Sequence, residues 1–370
     1  MAEGFWTNSK PQAWIESAGF DLCLILGPPI FSCVIVFLLK PQLSSHATVG
    51  PWLWLTLIVG VDVAHVYASV FRTYLDPRPA TSAGLWLVPL ICWVVGAVLY
   101  SMQALYFWRA LAYLAVFHFV RQQYGFSMLY ARDEKGNSKW FRAIDKLSIY
   151  AATLYPLFFW HTHQPRNFNW FVEGDFFSFS GGTIDKLGLG LYVLILATYL
   201  GKELWITWRN KFFNIPRNLI FVSTALSWFV GIVLFNNDLV FTFTNVVSHG
   251  IPYMALVWLY GRKSAKGSSA KAWWQYIFRI DRVPLYFGVL LAAAYVEEGL
   301  WGGLIWREHL RFFPILSELP WVEDKIILTL LIPLLALPQS THYVFDAMIW
   351  KVRGPGSAWK DTLFKKKASV

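Results

Sequence analysis

An all-α, polytopic membrane bundle is the fold class this sequence predicts, and three observations predict it. Only 15% of the 370 residues are charged, where a soluble domain carries about a quarter. The mean hydropathy is positive, +0.44, and the apolar residues gather into runs of roughly 20, the length that crosses a bilayer. The 21 Trp suit the aromatic belts of a membrane interface. Helices are expected near 20–39, 51–73, 85–103, 105–130, 146–161, 187–208, 218–235, 239–260, 284–304 and 326–350, about ten spans. An N-terminal cytoplasmic segment (1–19) would precede the helical domain (20–350), and a basic cytoplasmic tail (351–370) would follow it.

Charge sets the expected orientation. With both termini cytoplasmic, the inner segments carry 22 Lys and Arg residues and the outer segments 6, the asymmetry of the positive-inside rule. Arg72, Arg78 and Arg217 count among the inner ones. A multi-pass protein of the cytoplasmic (inner) membrane is therefore expected. The net charge of +10 bears on orientation and anionic lipid. No aromatic-interleaved basic repeat points to nucleic acid. The stretch GRKSAKGSSAK (261–271) reads as a flexible basic loop. AWWQYIFRI (272–280) could lie on the surface as an amphipathic helix, but a solvated loop drawn to anionic lipid is the preferred reading.

Other classes lose support early. Cys23, Cys33 and Cys92 sit in apolar runs with no CxxC or CxxCH spacing, against a disulfide framework, a thiolate site or c-type haem. The first 20 residues lack a charged n-region and a cleavage site, so targeting is expected to rest on the first span. No Walker A, GxSxG, HExxH or GxGxxG occurs in its required context.

The polar residues inside the spans carry the functional reading. His65, His118, His249 and His342 lie 14, 13, 10 and 16 residues from the outer ends of four even-numbered spans. At about 1.5 Å per residue these depths fall within roughly 9 Å of one another. Each has polar company three or four residues away, on the same helix face. Asp62 precedes His65, Gln122 follows His118, Asn245 precedes His249, and Gln339 and Asp346 flank His342. A polar group in lipid costs several kcal/mol unless satisfied. The pattern therefore predicts four imidazole metal ligands, with the acids and amides as supporting or additional ligands.

Glu297 and Glu298, near the middle of the ninth span, are candidates to complete a mixed His/carboxylate site or to relay protons. The following GLWGG reads as close helix packing. Arg72 and Arg121 lie cytoplasmic of the histidines and could clamp an anion or snorkel to the interface. His161 and His163, in HTHQPRN, form an outer-surface feature with possible weak metal binding. His46 and His309 receive no role.

Imidazole and carboxylate donors suit iron, copper or zinc. The most concrete expectation is a non-haem iron oxygenase or desaturase acting on a lipid, quinone, isoprenoid or carotenoid, with an electron donor as possible partner. In class the pattern resembles histidine-liganded integral-membrane iron enzymes, such as bacterial membrane carotene dioxygenases and fatty-acid desaturases. The HxxxH and HxxHH boxes of desaturases are absent, so the resemblance carries over no residue roles. Two alternatives stand beside it. One is a b-type haem protein, although stacked haems need histidine pairs at two depths. The other is a proton-coupled transporter using the His, Asp, Glu and Arg residues.

Overall fold

The structure, a computed structural model, describes residues 11–43, 49–76, 82–134, 138–266, 271–350 and 359–364, and every regular element among them is helical. The long helices are α1 (Ala18–Leu39), α2 (Pro51–Arg72), α3 (Ser82–Met102), α4 (Ala104–Tyr130) and α5 (Lys139–Thr162). They continue with α6 (Thr183–Asn210), α7 (Ile215–Leu234) and α8 (Asp238–Ala265). A short α9 (Ala272–Ile277) precedes α10 (Ile280–Trp306), then α11 (Lys325–Leu335), α12 (Leu337–Ile349) and a short α13 (Trp359–Phe364). All ten expected spans are thus helical. Seven are long and apolar enough to cross a membrane, or eight if the bent pair α11/α12 counts as one. The two that fall short are α4 and α5. Arg109, Arg121, Gln122 and Gln123 dilute the first; Lys139, Arg142, Asp145 and Lys146 dilute the second.

Local chemistry explains the helix ends. Ser138 opens α5, its Oγ accepting from Phe141 N at 3.3 Å, and Asn214 opens α7, accepting from Arg217 N at 3.2 Å. The run expected at 326–350 is broken, with α11 and α12 bent by 41°. Pro338 lacks the N–H that residue 334 would bond and disfavours helical geometry at the residue before it, so the chain turns at Ala336. Four π-helical stretches interrupt the α geometry: Leu22–Leu26, Leu55–Val63, Phe229–Leu234 and Gly302–Trp306. The second ends two residues before His65. Such insertions gather at functional sites.

The chain divides into two compact units, each discontinuous along the sequence. One comprises 1–48, 119–168 and 177–248. Its apolar core includes Ile149, Ala152, Tyr199 and Phe221. It also buries a charged network. Arg217 Nη1 donates to Glu134 Oε2 at 2.8 Å and to Asp145 Oδ2 at 3.3 Å, while Nη2 donates to Glu203. Lys202 pairs with Asp145 and lies 2.6 Å from Glu203 Oε1, and Asn218 Nδ2 donates to Glu203 Oε2 at 2.8 Å. Outside the helices, burial raises the Glu134 carboxyl although Arg217 opposes the shift. Arg217, read from sequence as a cytoplasmic loop cation, is only 2% exposed.

The other unit comprises 49–118, 169–176 and 249–370. Its core runs through Phe107, Trp108, Leu111, Ala115, Trp301, Ile332 and Tyr343. One expectation changes here. Residues 272–277 are helical rather than loop, because Trp274 and Phe278 find a core to enter. In the tail, α13 packs back through Trp359, whose ring meets Trp350 at 5.1 Å, and Lys263 Nζ donates to Leu363 O at 2.8 Å. His46, Arg78 and the rest of the tail lie outside the described residues.

Candidate metal centre

Four helical segments of the second unit each deliver one imidazole to one place. His65 comes from α2, His118 from α4, His249 from α8 and His342 from α12, and none is more than 2% exposed. Gly250 lets two of these helices approach. A Cβ there would meet Val61 Cγ1 at 2.7 Å and the Val61 carbonyl at 3.0 Å. The glycine beside His249 thus brings α8 against α2 where His65 sits.

All four rings present Nε2. His65 Nε2 lies 3.1 Å from His249 Nε2, which lies 3.0 Å from His118 Nε2, which lies 3.2 Å from His342 Nε2. The four ligand atoms fall within 4.8 Å of one another, the one such His/Cys/Asp/Glu group among the described residues. Neighbouring rings stand edge-on, with interplanar angles of 64–88°. Hydrogen bonding alone does not account for this. An imidazole Nε2 carries one hydrogen or one lone pair, so it can make one linear bond. His249 and His118 each face two other Nε2 atoms, so at most two of the three contacts can be linear hydrogen bonds. A cation in the middle engages all four lone pairs. Ligands 90–110° apart on a metal at about 2.1 Å stand about 3.0–3.4 Å from each other, the separation of the three neighbouring pairs here.

No known protein family, curated protein or solved structure matches this chain.

The far side of three of the rings, those of His65, His118 and His342, supports the same reading. His65 Nδ1 lies 3.3 Å from the carbonyl of Val61 and 3.8 Å from Asp62 Oδ1. A carbonyl only accepts, so Nδ1 holds the hydrogen and Nε2 keeps its lone pair. Asp346 stands behind two rings at once, Oδ2 at 3.6 Å from His118 Nδ1 and Oδ1 at 4.0 Å from His342 Nδ1. Tyr253 fixes that carboxylate, its hydroxyl donating to Oδ1 at 2.5 Å, and its ring meets His342 edge-on at 5.0 Å. Tyr343 covers His118 at 5.0 Å. Neither tyrosine was singled out from sequence, yet Tyr253 follows His249 by four, the same spacing that exposed the other partners. Asp346→Asn keeps the shape and removes the charge. It is expected to weaken metal retention by about 10–100-fold, read by competition with a chelator.

Asp62 and Asp346 flank the rings without joining the group of four, and Gln339 is half-buried one turn before His342. Glu297 is 4% exposed beside Tyr67 and Trp301, and Glu298 is half-buried; neither joins the imidazoles. Arg72 holds a carboxylate of the chain itself, Asp76. It is 6% exposed, donates to Ile349 O at 3.2 Å and stacks under Tyr260 at 4.1 Å. Gln122, Arg121 and Asn245 belong to the first unit. Arg121 is exposed and donates to Tyr150 at 3.3 Å, and Asn245 bonds the carbonyl of Phe241 in its own helix at 2.9 Å. His161 and His163 turn Nδ1 onto the carbonyls of Leu157 and Phe159 at 2.6 and 2.9 Å. His309 stacks on Trp54 at 3.9 Å.

Proposed function

We propose that this chain is a histidine-liganded membrane metalloenzyme, a non-haem iron oxygenase or desaturase acting on a lipophilic substrate such as a lipid, quinone, isoprenoid or carotenoid. The observation that carries the reading is the convergence of four buried Nε2 atoms at 3.0–3.2 Å. His65, His118, His249 and His342 would hold the ion, and bound iron would supply the activation of dioxygen. Imidazole also accepts zinc and copper, and metal content decides among them. Haem b fits poorly, because a macrocycle between any two of these rings would occupy the space of the other two.

The chain's own residues do the rest. The Val61 carbonyl, Asp346 and Tyr253 hold ring orientation, and the aromatic packing of Tyr253 and Tyr343 excludes water. An apolar pocket of about 470 Å³ in the same unit supports a lipophilic substrate; Tyr100, Trp108, Trp306, Trp321 and Ile332 line it. Trp108 precedes His118 by ten residues of one helix, placing the pocket floor about 15 Å from the imidazoles. Trp108 and Ile332 share a hydrophobic core with Tyr343, which covers His118. Proton-coupled transport draws less support, since Arg72 is engaged by Asp76 and Ile349. We read the topology as ten spans in the cytoplasmic membrane with both ends inside, and an oxygenase would draw reducing equivalents from a separate electron donor.

Elemental analysis and absorption spectroscopy of the purified protein test this. About one iron per chain, no Soret band and substrate-dependent oxygen consumption are expected. Absence of stoichiometric metal together with proton-coupled flux in vesicles would hand the site to the transporter reading.

A further inference from the structure

The basic stretch between α8 and α10 forms a second, separate feature. Residues 261–282 hold six Lys and Arg residues against a single acid, Asp281. The short helix α9 is locked in place from below. Trp274 is fully buried, and its Nε1 donates to Ser264 Oγ at 2.9 Å. Phe278, 2% exposed, packs on Trp274, Phe71 and Tyr286 with ring centroids 4.5, 5.5 and 5.6 Å away. Gly261 makes room for that ring, since a Cβ there would collide with it. The opposite side shows Trp273, Tyr276 and Ile280 to the surroundings. Between the end of α8 and this helix lies an open pocket of about 620 Å³, lined by Arg262, Lys266, Gln275, Tyr276 and Arg279 among others.

We propose that this pocket binds the phosphate headgroup of an anionic membrane lipid. Arg279 Nε and Nη2 are both held by Asp281 at 2.9 Å, a pair that cancels in charge. Arg262 and Lys266 therefore leave the pocket about two positive charges in excess, suited to the negative charge of a phosphodiester. The pocket sits where two apolar helices, α8 and α10, end and begin, the level at which headgroups lie. Exposed Trp and Tyr beside it are the residues that favour this interface. Basic pockets at helix ends recognise anionic headgroups in this manner. Arg262 is steadied over Trp258 at 5.3 Å, and Tyr276 and Ile280 offer an apolar edge to the acyl chains. The site is independent of the histidine centre and stands whether or not that centre holds metal.

Native mass spectrometry of the full chain in detergent tests it, titrating phosphatidylglycerol, phosphatidylcholine or inorganic phosphate. One phosphatidylglycerol is expected to stay bound at concentrations at least about tenfold below those for phosphatidylcholine. The double variant Arg262→Gln/Lys266→Gln is expected to lose about 30-fold in that affinity with an unchanged unfolding temperature. Arg262→Lys should retain most of it. Equal retention of the two lipids, or an unaffected double variant, would overturn the site. Displacement of phosphatidylglycerol by equimolar inorganic phosphate would assign the pocket to a soluble anion and overturn the lipid.

Discussion

His249→Ala is expected to lower metal affinity on the order of 100-fold or more, beyond the loss from any supporting residue. His249 and His118 hold the inner places, each facing two other Nε2 atoms at 3.0–3.2 Å. Removing either opens the ring of donors from its middle and leaves a void where an imidazole packed. Metal per chain after dialysis against a chelator is the measurement, with His309→Ala as control, because His309 stacks on Trp54 and Phe312 and lies outside the group of four. Added imidazole should restore part of the loss in His249→Ala by filling the void. If both His249→Ala and His118→Ala keep the wild-type metal content, the shared centre is dismissed.

Arg217→Ala is expected to be the most destabilising single change outside that centre. The guanidinium reaches Glu134, Asp145 and Glu203 from a position 2% exposed. Deleting it leaves Asp145 and Glu203 with Lys202 as their cation and Glu134 with the Asn214 amide. Breaking a buried pair in this way costs about 3–5 kcal/mol, because the remaining charge keeps its desolvation penalty. For a helical protein of this size that is a fall of roughly 10 °C in unfolding temperature. Arg217→Lys should recover little, since an ammonium cannot span carboxylates on several sides as the planar fork does. Arg121→Ala, at an exposed site, is expected to change stability by under about 1 kcal/mol. Equal unfolding temperatures for the Arg217 and Arg121 variants would mean that the network contributes nothing net.

The two residues show how far a sequence can be read. Arg121 and Arg217 both look like interface cations beside apolar runs, and the positive-inside tally treats Arg217 so. What separates them is the set of carboxylates that folding brings near. Glu134, Asp145 and Glu203 are far from Arg217 in the chain, and no periodicity links them. The four histidines were legible for a different reason. A polar ring inside an apolar helix is costly unless satisfied, so each one announces that a partner exists at its depth. Their local companions were legible only in part. Asp62 and Asp346 do stand beside rings, while the Asn245 amide nitrogen is spent on the carbonyl of Phe241 in its own helix. Spacing tells which residues share a face and not what that face meets. Residues 272–277 were misjudged because short aromatic segments become helix only when a core accepts them, as Ser264, Phe71 and Tyr286 do here.

By itself, then, the sequence determined the helical class, the positions of the apolar helices and the identity of four buried imidazoles, because water-fearing runs and isolated polar groups within them are local properties. Tertiary structure alone decided that those imidazoles meet through Nε2, that Asp346 and Tyr253 stand behind them, that α11 and α12 bend apart, and that Arg217 is enclosed by acids. Each of these depends on which side chains distant parts of the chain place within a few ångströms of one another, and that proximity is a product of packing.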